Sequence, residues 1–204
     1  MNAVRSDVCP SPEPALLSEP GTILPAAAQQ AFAALYAEHF AFVWRSARRL
    51  GVPLAAVDDV VQDVFLVAHR KLAEFEGRSS HRTWLFGIAR KVARDYRPKT
   101  AQRMHQAREL DTDALPTADS GPLVLAQQAE SARLLQSMLD ELEEDRRAAF
   151  ILVDLEELSV PEAALALAVN VNTLYSRVRA ARQDLSEALS RRRAQNERRE
   201  PWNR

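Results

Sequence analysis

The sequence predicts an all-α protein of two small helical domains joined by a flexible linker, and three observations carry that reading. Helix-favouring residues dominate: 47% of the 204 positions are hydrophobic, alanine, leucine and arginine abound, and only five residues are glycine. Apolar residues recur at helical spacing through two stretches, and no convincing strand pattern interrupts them. Between the stretches, over 99–128, the pattern dissolves into a segment such as DTDALPTADSGPL, polar, acidic and broken by proline and glycine.

In chain order, residues 1–25 hold five prolines and lack the apolar core of a signal peptide, so they read as a disordered leader. The first helix is expected from about Ala28 to Leu50, where Phe32, Leu35, Tyr36, His39, Val43 and Ala47 fall near helical spacing. Gly51-Val-Pro53 breaks it, and Pro53 suits the first turn of the next helix. That second helix reaches about Phe75, with Val57, Val60, Val61, Val64, Phe65, Ala68 and Leu72 as its apolar stripe. Glu76 to His81 is a loop, and TWLFGIARKVARDYR, Thr83 to Arg97, is a third helix stopped by Pro98. Residues 26–98 thus form the first domain, 129–193 the second, and 194–204 a polar tail. The second domain is expected to hold helices near 130–142, 144–156, 159–168 and 172–193.

Composition excludes several functions. A single cysteine, Cys9, allows no internal disulfide and fits a reducing cytoplasm. No apolar run of about 18 residues is present for membrane insertion. His39, His69, His81 and His105 are scattered, no Gly-rich loop could cradle phosphates, and no nucleophile sits with a base. Neither catalysis nor a cofactor is expected. A metal site from Asp59, Asp63 and His69 is the sharp alternative, but no further ligand accompanies them.

A net charge of −1 hides a strong segregation. Arg78 to Arg108 carries nine Lys or Arg against one acid, Glu109 to Glu162 fourteen acids against three bases, and Arg177 to Arg199 eight bases against three acids. Two basic blocks with an acidic one between them predict two polyanion-binding surfaces held apart. In the third helix, Leu85, Ile88, Val92 and Tyr96 fall on one side as core, whereas Arg90, Lys91, Arg94 and Arg97 lie elsewhere. Aromatic rings beside cations suit single-stranded nucleic acid, although Trp84 could equally cap the core. The loop Arg78-Ser79-Ser80-His81-Arg82, small and polar between arginines, suits a flipped base. The second helix differs: Asp58, Asp59, Gln62, Asp63, Leu66 and His69 give an acidic side with an apolar centre, complementary to a basic protein surface.

In the second domain, Ser159-Val-Pro-Glu162 has capping-box spacing, and Asn172 suits the N-cap of the last helix. That helix buries Leu174, Val178, Ala181 and Leu185 and presents Thr173, Tyr175, Ser176, Arg177, Arg179 and Arg182. A short helix, a turn and a longer basic helix read as a helix-turn-helix, whose second helix meets base edges while flanking arginines neutralise phosphates. An ordinary helical hairpin with a basic face is the bland reading of the same pattern.

DDVVQDVFLVAHRKLAEFEGRSSHRTWLFGIARKVARDYR resembles region 2 of bacterial RNA polymerase sigma factors, in the extracytoplasmic-function group of the sigma-70 family. LSVPEAALALAVNVNTLYSRVRAARQDL resembles region 4 of that group, in the family's order. The pair of motifs D-x-V-Q-x-x-F and S-S-x-x-T-W-L-x-x-I-A carries the resemblance. It implies a sigma factor that directs promoter-specific initiation. Asp58, Asp59, Gln62, Asp63, Phe65 and Leu66 would meet the clamp helices of the polymerase β′ subunit. Arg78, Ser79, Ser80, His81, Arg82, Trp84, Arg90, Lys91, Arg94 and Arg97 would melt and read the −10 element. Asn172, Thr173, Tyr175, Ser176, Arg177, Arg179 and Arg182 would read the −35 element, with region 4 also touching the β flap. An anti-sigma factor is a further implied partner. The family often has glycine in the region 4 turn where this chain has Ala168, so Asn170 is expected to supply the left-handed residue. A helix-turn-helix repressor or response-regulator output domain is the alternative. It leaves the acidic face and the basic-aromatic helix unexplained.

Overall fold

The computed structural model describes residues 26–101 and 122–199, and among them it holds seven α-helices and no strand. The leader, most of the expected linker and residues 200–204 lie outside the described residues, as do Cys9 and His105. Three helices, α1 (Ala26–Arg49), α2 (Leu54–Lys71) and α3 (His81–Ala101), pack on one another as the N-terminal unit. The C-terminal unit comprises α4 (Pro122–Glu141), α5 (Glu144–Phe150), α6 (Val160–Ala166) and α7 (Val171–Arg199), with α4, α5 and α6 laid against α7.

The stripe read in α2 is its buried face: Val57, Val60, Val61, Val64, Phe65 and Ala68 are all inside. Burying each such larger side chain contributes roughly 1.5–3 kcal/mol, so this face is a major contributor to the stability of the unit, together with Phe42, Leu85 and Phe86 of the helices it packs on. On α3 the fully buried residues are Leu85, Phe86, Ala89 and Ala93, while Ile88, Val92 and Tyr96 pack at its edge. The expected side is therefore in the core, but burial extends beyond it to Phe86, Ala89 and Ala93, of which Phe86 is the largest.

The ends of the helices also differ from expectation. α3 begins at His81 and passes through Pro98 to Ala101, although a proline there removes one backbone donor and crowds the carbonyl one turn back. α4 begins at Pro122, where a proline at the first turn is compatible with helix, so residues 122–128 belong to it and not to a linker. α7 runs on to Arg199 through the expected tail. α5 passes into a wider turn over Ile151–Leu155, closed by a bond from the Glu156 amide to the Ile151 carbonyl at 2.9 Å.

Two helices end in the same hydrogen-bonded turn with different residues at its left-handed position. After α1, the amides of Gly51 and Val52 bond the carbonyls of Arg48 (2.8 Å) and Ala47 (3.1 Å), with Gly51 at φ 94°. After α6, the amides of Ala168 and Val169 bond Leu165 (3.1 Å) and Ala164 (3.0 Å). Here Ala168 itself takes φ 53°, so the expectation that Asn170 would be left-handed is corrected. Asn170 instead caps α7, its Oδ1 accepting from the Thr173 amide at 2.7 Å, which places Asn172 inside the first turn and not at the cap. The capping box of α6 forms as expected, the Glu162 carboxylate accepting from the Ser159 amide at 3.1 Å. The Ser159 hydroxyl and amide hold the Glu162 carboxyl below its usual range.

The two units share one apolar core, which runs from Val43, Val60 and Phe86 to Ile151, Leu152, Ala163 and Leu174. Gly87 of α3 faces α6: a Cβ there would stand 3.6 Å from the Ala166 carbonyl oxygen. Buried Arg147 of α5 donates to the Leu50 carbonyl at the end of α1 (3.3 Å) and to those of Asp140 (3.0 Å) and Leu142 (3.1 Å). Met138, Leu139, Leu142, Ala181, Leu185 and Ala188 form a smaller core of the C-terminal unit alone.

Candidate nucleic-acid interface and docking face

Period 3.6 turns the valines of α2 inward and its acids outward. Asp58, Asp59, Gln62, Asp63 and Leu66 are exposed, Leu66 by 46%. Asp58 accepts from the Trp44 indole at 3.1 Å, whereas no ion pair among the described residues is recorded for Asp59 or Asp63. Phe65 is 3% exposed and packs against Tyr36 (ring centroids 4.6 Å apart), so it supports this face from beneath as part of the groove floor. Tyr36 and Phe40, exposed by 42% and 36%, border the same face from α1 and were missed as surface. With Phe32 and Leu66 they line a groove beside the acids. Among the described residues no His, Cys, Asp and Glu cluster could hold a metal, and the His69 ring packs edge-on against Phe32 at 4.8 Å.

The segment expected to receive a flipped base is more structured than a free loop. Ser80 caps α3, its hydroxyl accepting from the Thr83 amide at 3.2 Å and bonding the Thr83 hydroxyl at 2.9 Å. His81 and Arg82 consequently lie in the first helical turn. Ser79 is half-buried, and Arg78 is exposed and paired with Glu76 at 2.7 Å. The rings of His81 and Trp84 both lie on Phe75, at 4.8 and 5.0 Å, so Trp84 is anchored at the rim of the core. His39, buried behind His81, has its ionisation lowered by desolvation, with the Glu38 carboxylate opposing this.

The cations of the third helix divide into two sets. Lys91 and Arg94 are exposed, and the Arg97 side chain lies outside the described residues. Arg82 and Arg90 point to the other unit: Arg82 donates to the Glu156 carboxylate at 2.8 Å, and Arg90 pairs with Asp145. The helix-turn-helix divides likewise. Asn172, Tyr175, Ser176 and Arg179 are exposed, Tyr175 by 59%, and Thr173 is half-buried. Arg177 pairs with Asp145, and Arg182 grips Asp154 through two nitrogens at 2.8 and 3.1 Å. The Ser176 hydroxyl turns back to the Asn172 carbonyl at 2.8 Å.

Four arginines expected on nucleic acid thus end on carboxylates of the acidic block. The acidic block expected to stand between the two basic ones folds against both and pairs with part of each, while Lys91, Arg94 and Arg179 stay exposed. Arg45 and Arg49 of α1 also pair with Glu156. These pairings were missed: the net charge of the acidic block pointed to acids such as Glu156 and Asp145, nothing pointed to Arg45 and Arg49, and composition does not say which acid meets which base.

The family model for sigma-70 region 2 matches residues 35–103, and that for sigma-70 region 4 matches 132–185. The chain is 34% identical to the RNA polymerase sigma factor NccH of Alcaligenes xylosoxydans xylosoxydans over 164 residues, 79% of this chain and 88% of that protein. It is 32% identical to the ECF RNA polymerase sigma-E factor of Escherichia coli K12 over 148 residues, 68% of this chain and 76% of the relative. Among solved structures it is similar to CnrH in complex with the cytosolic domain of CnrY, with TM-score 0.58, 32% identity and coverage of 79% of this chain and 89% of that one. A repressor or response-regulator domain is not favoured, because it accounts for α6 and α7 but not for the region 2 match. With both regions in order and relatives of this identity over two thirds or more of its length, the chain belongs to the sigma-70 family, among the extracytoplasmic-function RNA polymerase sigma factors.

Proposed function

We propose that this sigma factor docks on core RNA polymerase through the exposed acids of α2, Asp59 and Asp63, with Gln62 and Leu66, and that Tyr36 and Phe40 extend the contact. The observation that carries this reading is an acidic strip with an apolar centre, in which Asp59 and Asp63 have no ion pair among the described residues, beside exposed rings. The basic end of the β′ clamp helices is the partner this chemistry suits. Asp58, tied to Trp44, sits at its edge.

Arg78, Ser79, His81 and the cations of α3, among them Lys91, Arg94 and Arg97, engage the melted −10 element. Trp84 and Ser80 shape that site. Asn172, Thr173 and Tyr175 meet bases of the −35 element from α7, with Ser176 beside them, and Arg177, Arg179 and Arg182 meet its phosphates. Region 4 also contacts the β flap. The solved CnrH relative is held by the cytosolic domain of CnrY, and an inhibitory anti-sigma protein is the corresponding partner here. No helix of the described residues is long and apolar enough to cross a membrane.

The test is co-purification of the full chain with core polymerase, followed by transcription from its own promoter. Promoter-specific transcripts that need the chain support the reading, and failure to bind core polymerase overturns it.

A further inference from the structure

Three arginines of the N-terminal unit converge on one carboxylate of the other. Arg45 and Arg49 lie four residues apart on α1, hence on one face, and Arg82 reaches the same point from the start of α3. Their common partner is Glu156, whose side chain is only 3% exposed. Arg82 meets it at 2.8 Å and Arg45 at 3.6 Å, and Arg49 pairs with its other oxygen. The Arg82 guanidinium also lies 4.7 Å over the Phe42 ring, which fixes its plane. Three guanidinium groups around a single negative charge leave an excess of positive charge. A guanidinium cluster of this kind matches a phosphodiester, which offers a negative charge spread over two oxygens.

We propose that Arg45, Arg49 and Arg82 form a binding site for a backbone phosphate of promoter DNA, and that Glu156 fills it while the two units are packed together. This deepens the assignment of Arg82 to the −10 interface and rests on it, adding Arg45 and Arg49. Asp145, on α5, repeats the arrangement about three helical turns earlier in the chain, holding Arg90 of one proposed DNA-reading element and Arg177 of the other. DNA at these arginines and the acids of the 145–156 segment are mutually exclusive occupants. The free chain is thereby a weak DNA binder, and separation of the units exposes the phosphate site.

The test compares the full chain with its Glu156→Gln variant by fluorescence anisotropy, using a random-sequence single strand of about 15 nucleotides as probe. Glutamine keeps the shape and removes the charge, so the variant is expected to bind about tenfold tighter, a change of about 1.4 kcal/mol. Adding Arg45→Ala and Arg49→Ala should abolish the gain and lower the salt slope by about 0.7 for the lost phosphate contact. Equal affinity of the variant and the native chain overturns the proposal, as does an unchanged slope in the triple variant. Should Glu156→Gln lose helicity, the Arg45→Ala/Arg49→Ala chain assembled with core polymerase carries the test. There, a reduced salt slope of promoter binding supports the site and an unchanged slope overturns it. Native-chain transcription with core polymerase is scored separately, so a functional sigma factor without a Glu156 effect sinks this proposal alone.

Discussion

Arg90 of α3 and Asp145 of α5 form an ion pair between the segment matched to region 2 and the segment matched to region 4. Asp145 also holds Arg177, so one carboxylate restrains a cation on each of α3 and α7. Asp145→Asn should lower stability by about 1 kcal/mol or less, because all three groups are partly exposed and solvent screens them. Freeing Arg177 should meanwhile steepen the salt dependence of duplex −35 binding by about one unit. Thermal unfolding and anisotropy titrations at several salt concentrations check both halves.

Charge reversal of the α2 face separates docking from folding. Asp59→Lys with Asp63→Lys should reduce core-polymerase affinity at least about tenfold, since like charges would then oppose the basic partner surface. The far-UV circular dichroism spectrum should be unchanged, because both side chains are exposed. An affinity equal to that of the native chain would move the docking face elsewhere.

On α7 the expected effects differ between neighbouring arginines. Arg179 is exposed and Arg182 is engaged with Asp154. Arg179→Ala should lower the salt slope for duplex −35 DNA by about one, and Arg182→Ala by less, since Arg182 must first leave its partner. Tyr175→Ala should change which bases are preferred while leaving the slope intact. Ser176, with its hydroxyl spent on backbone carbonyls, should give the smaller change in preference.

The two matching helix ends give opposite predictions. Ala168→Gly should stabilise the chain by about 1 kcal/mol, because glycine takes the left-handed conformation without the Cβ clash that alanine bears there. Gly51→Ala should destabilise it by about 1–2 kcal/mol for the same reason. Urea unfolding midpoints of the two variants test the pair.

His39 sets a pH dependence of defined sign. Burial lowers its ionisation in the folded chain below the ordinary value of 6.5, so the unfolded chain binds the proton more readily. Stability should therefore fall as pH drops below about 6.5 and stop falling, on this account, once pH passes the folded value. His39→Gln should flatten that part of the stability profile, measured by urea midpoints across the acidic range.

How much of this was legible in the sequence depends on the distance over which each feature is decided. The valine stripe of α2 and the Ser159–Glu162 box were legible, because spacing within a few residues settles them. Pro53, expected in the first turn of α2, stands instead just before the helix at its N-cap. Phe86 was not, because α3 packs against both α2 and α6 and so buries two sides, which a single-stripe reading cannot anticipate. The left-handed Ala168 was missed because propensity favours asparagine, yet the hydrogen bonds to Leu165 and Ala164 impose the conformation on whichever residue stands there. The exposed acids of α2 were read correctly as surface. Phe65 was read both as core and as contact; its burial bears out the first, and it also lines the floor of the groove beside the acids. The arginine–carboxylate pairs between the units join residues as far apart as Arg49 and Glu156, and no local pattern encodes such a meeting.

The wide turn over Ile151–Leu155 has an angular consequence. Successive residues of an α-helix advance by about 100° around the axis, so one residue absorbed in a wider turn rotates everything after it by about that much. The direction of Glu156 is therefore a phase, set upstream by the bond from its amide to Ile151. With regular winding the same glutamate would face a different quarter of the helix, and the three arginines would meet another side chain or water. A length polymorphism of a single residue in this turn would leave every charge in the sequence and still change which of them meet.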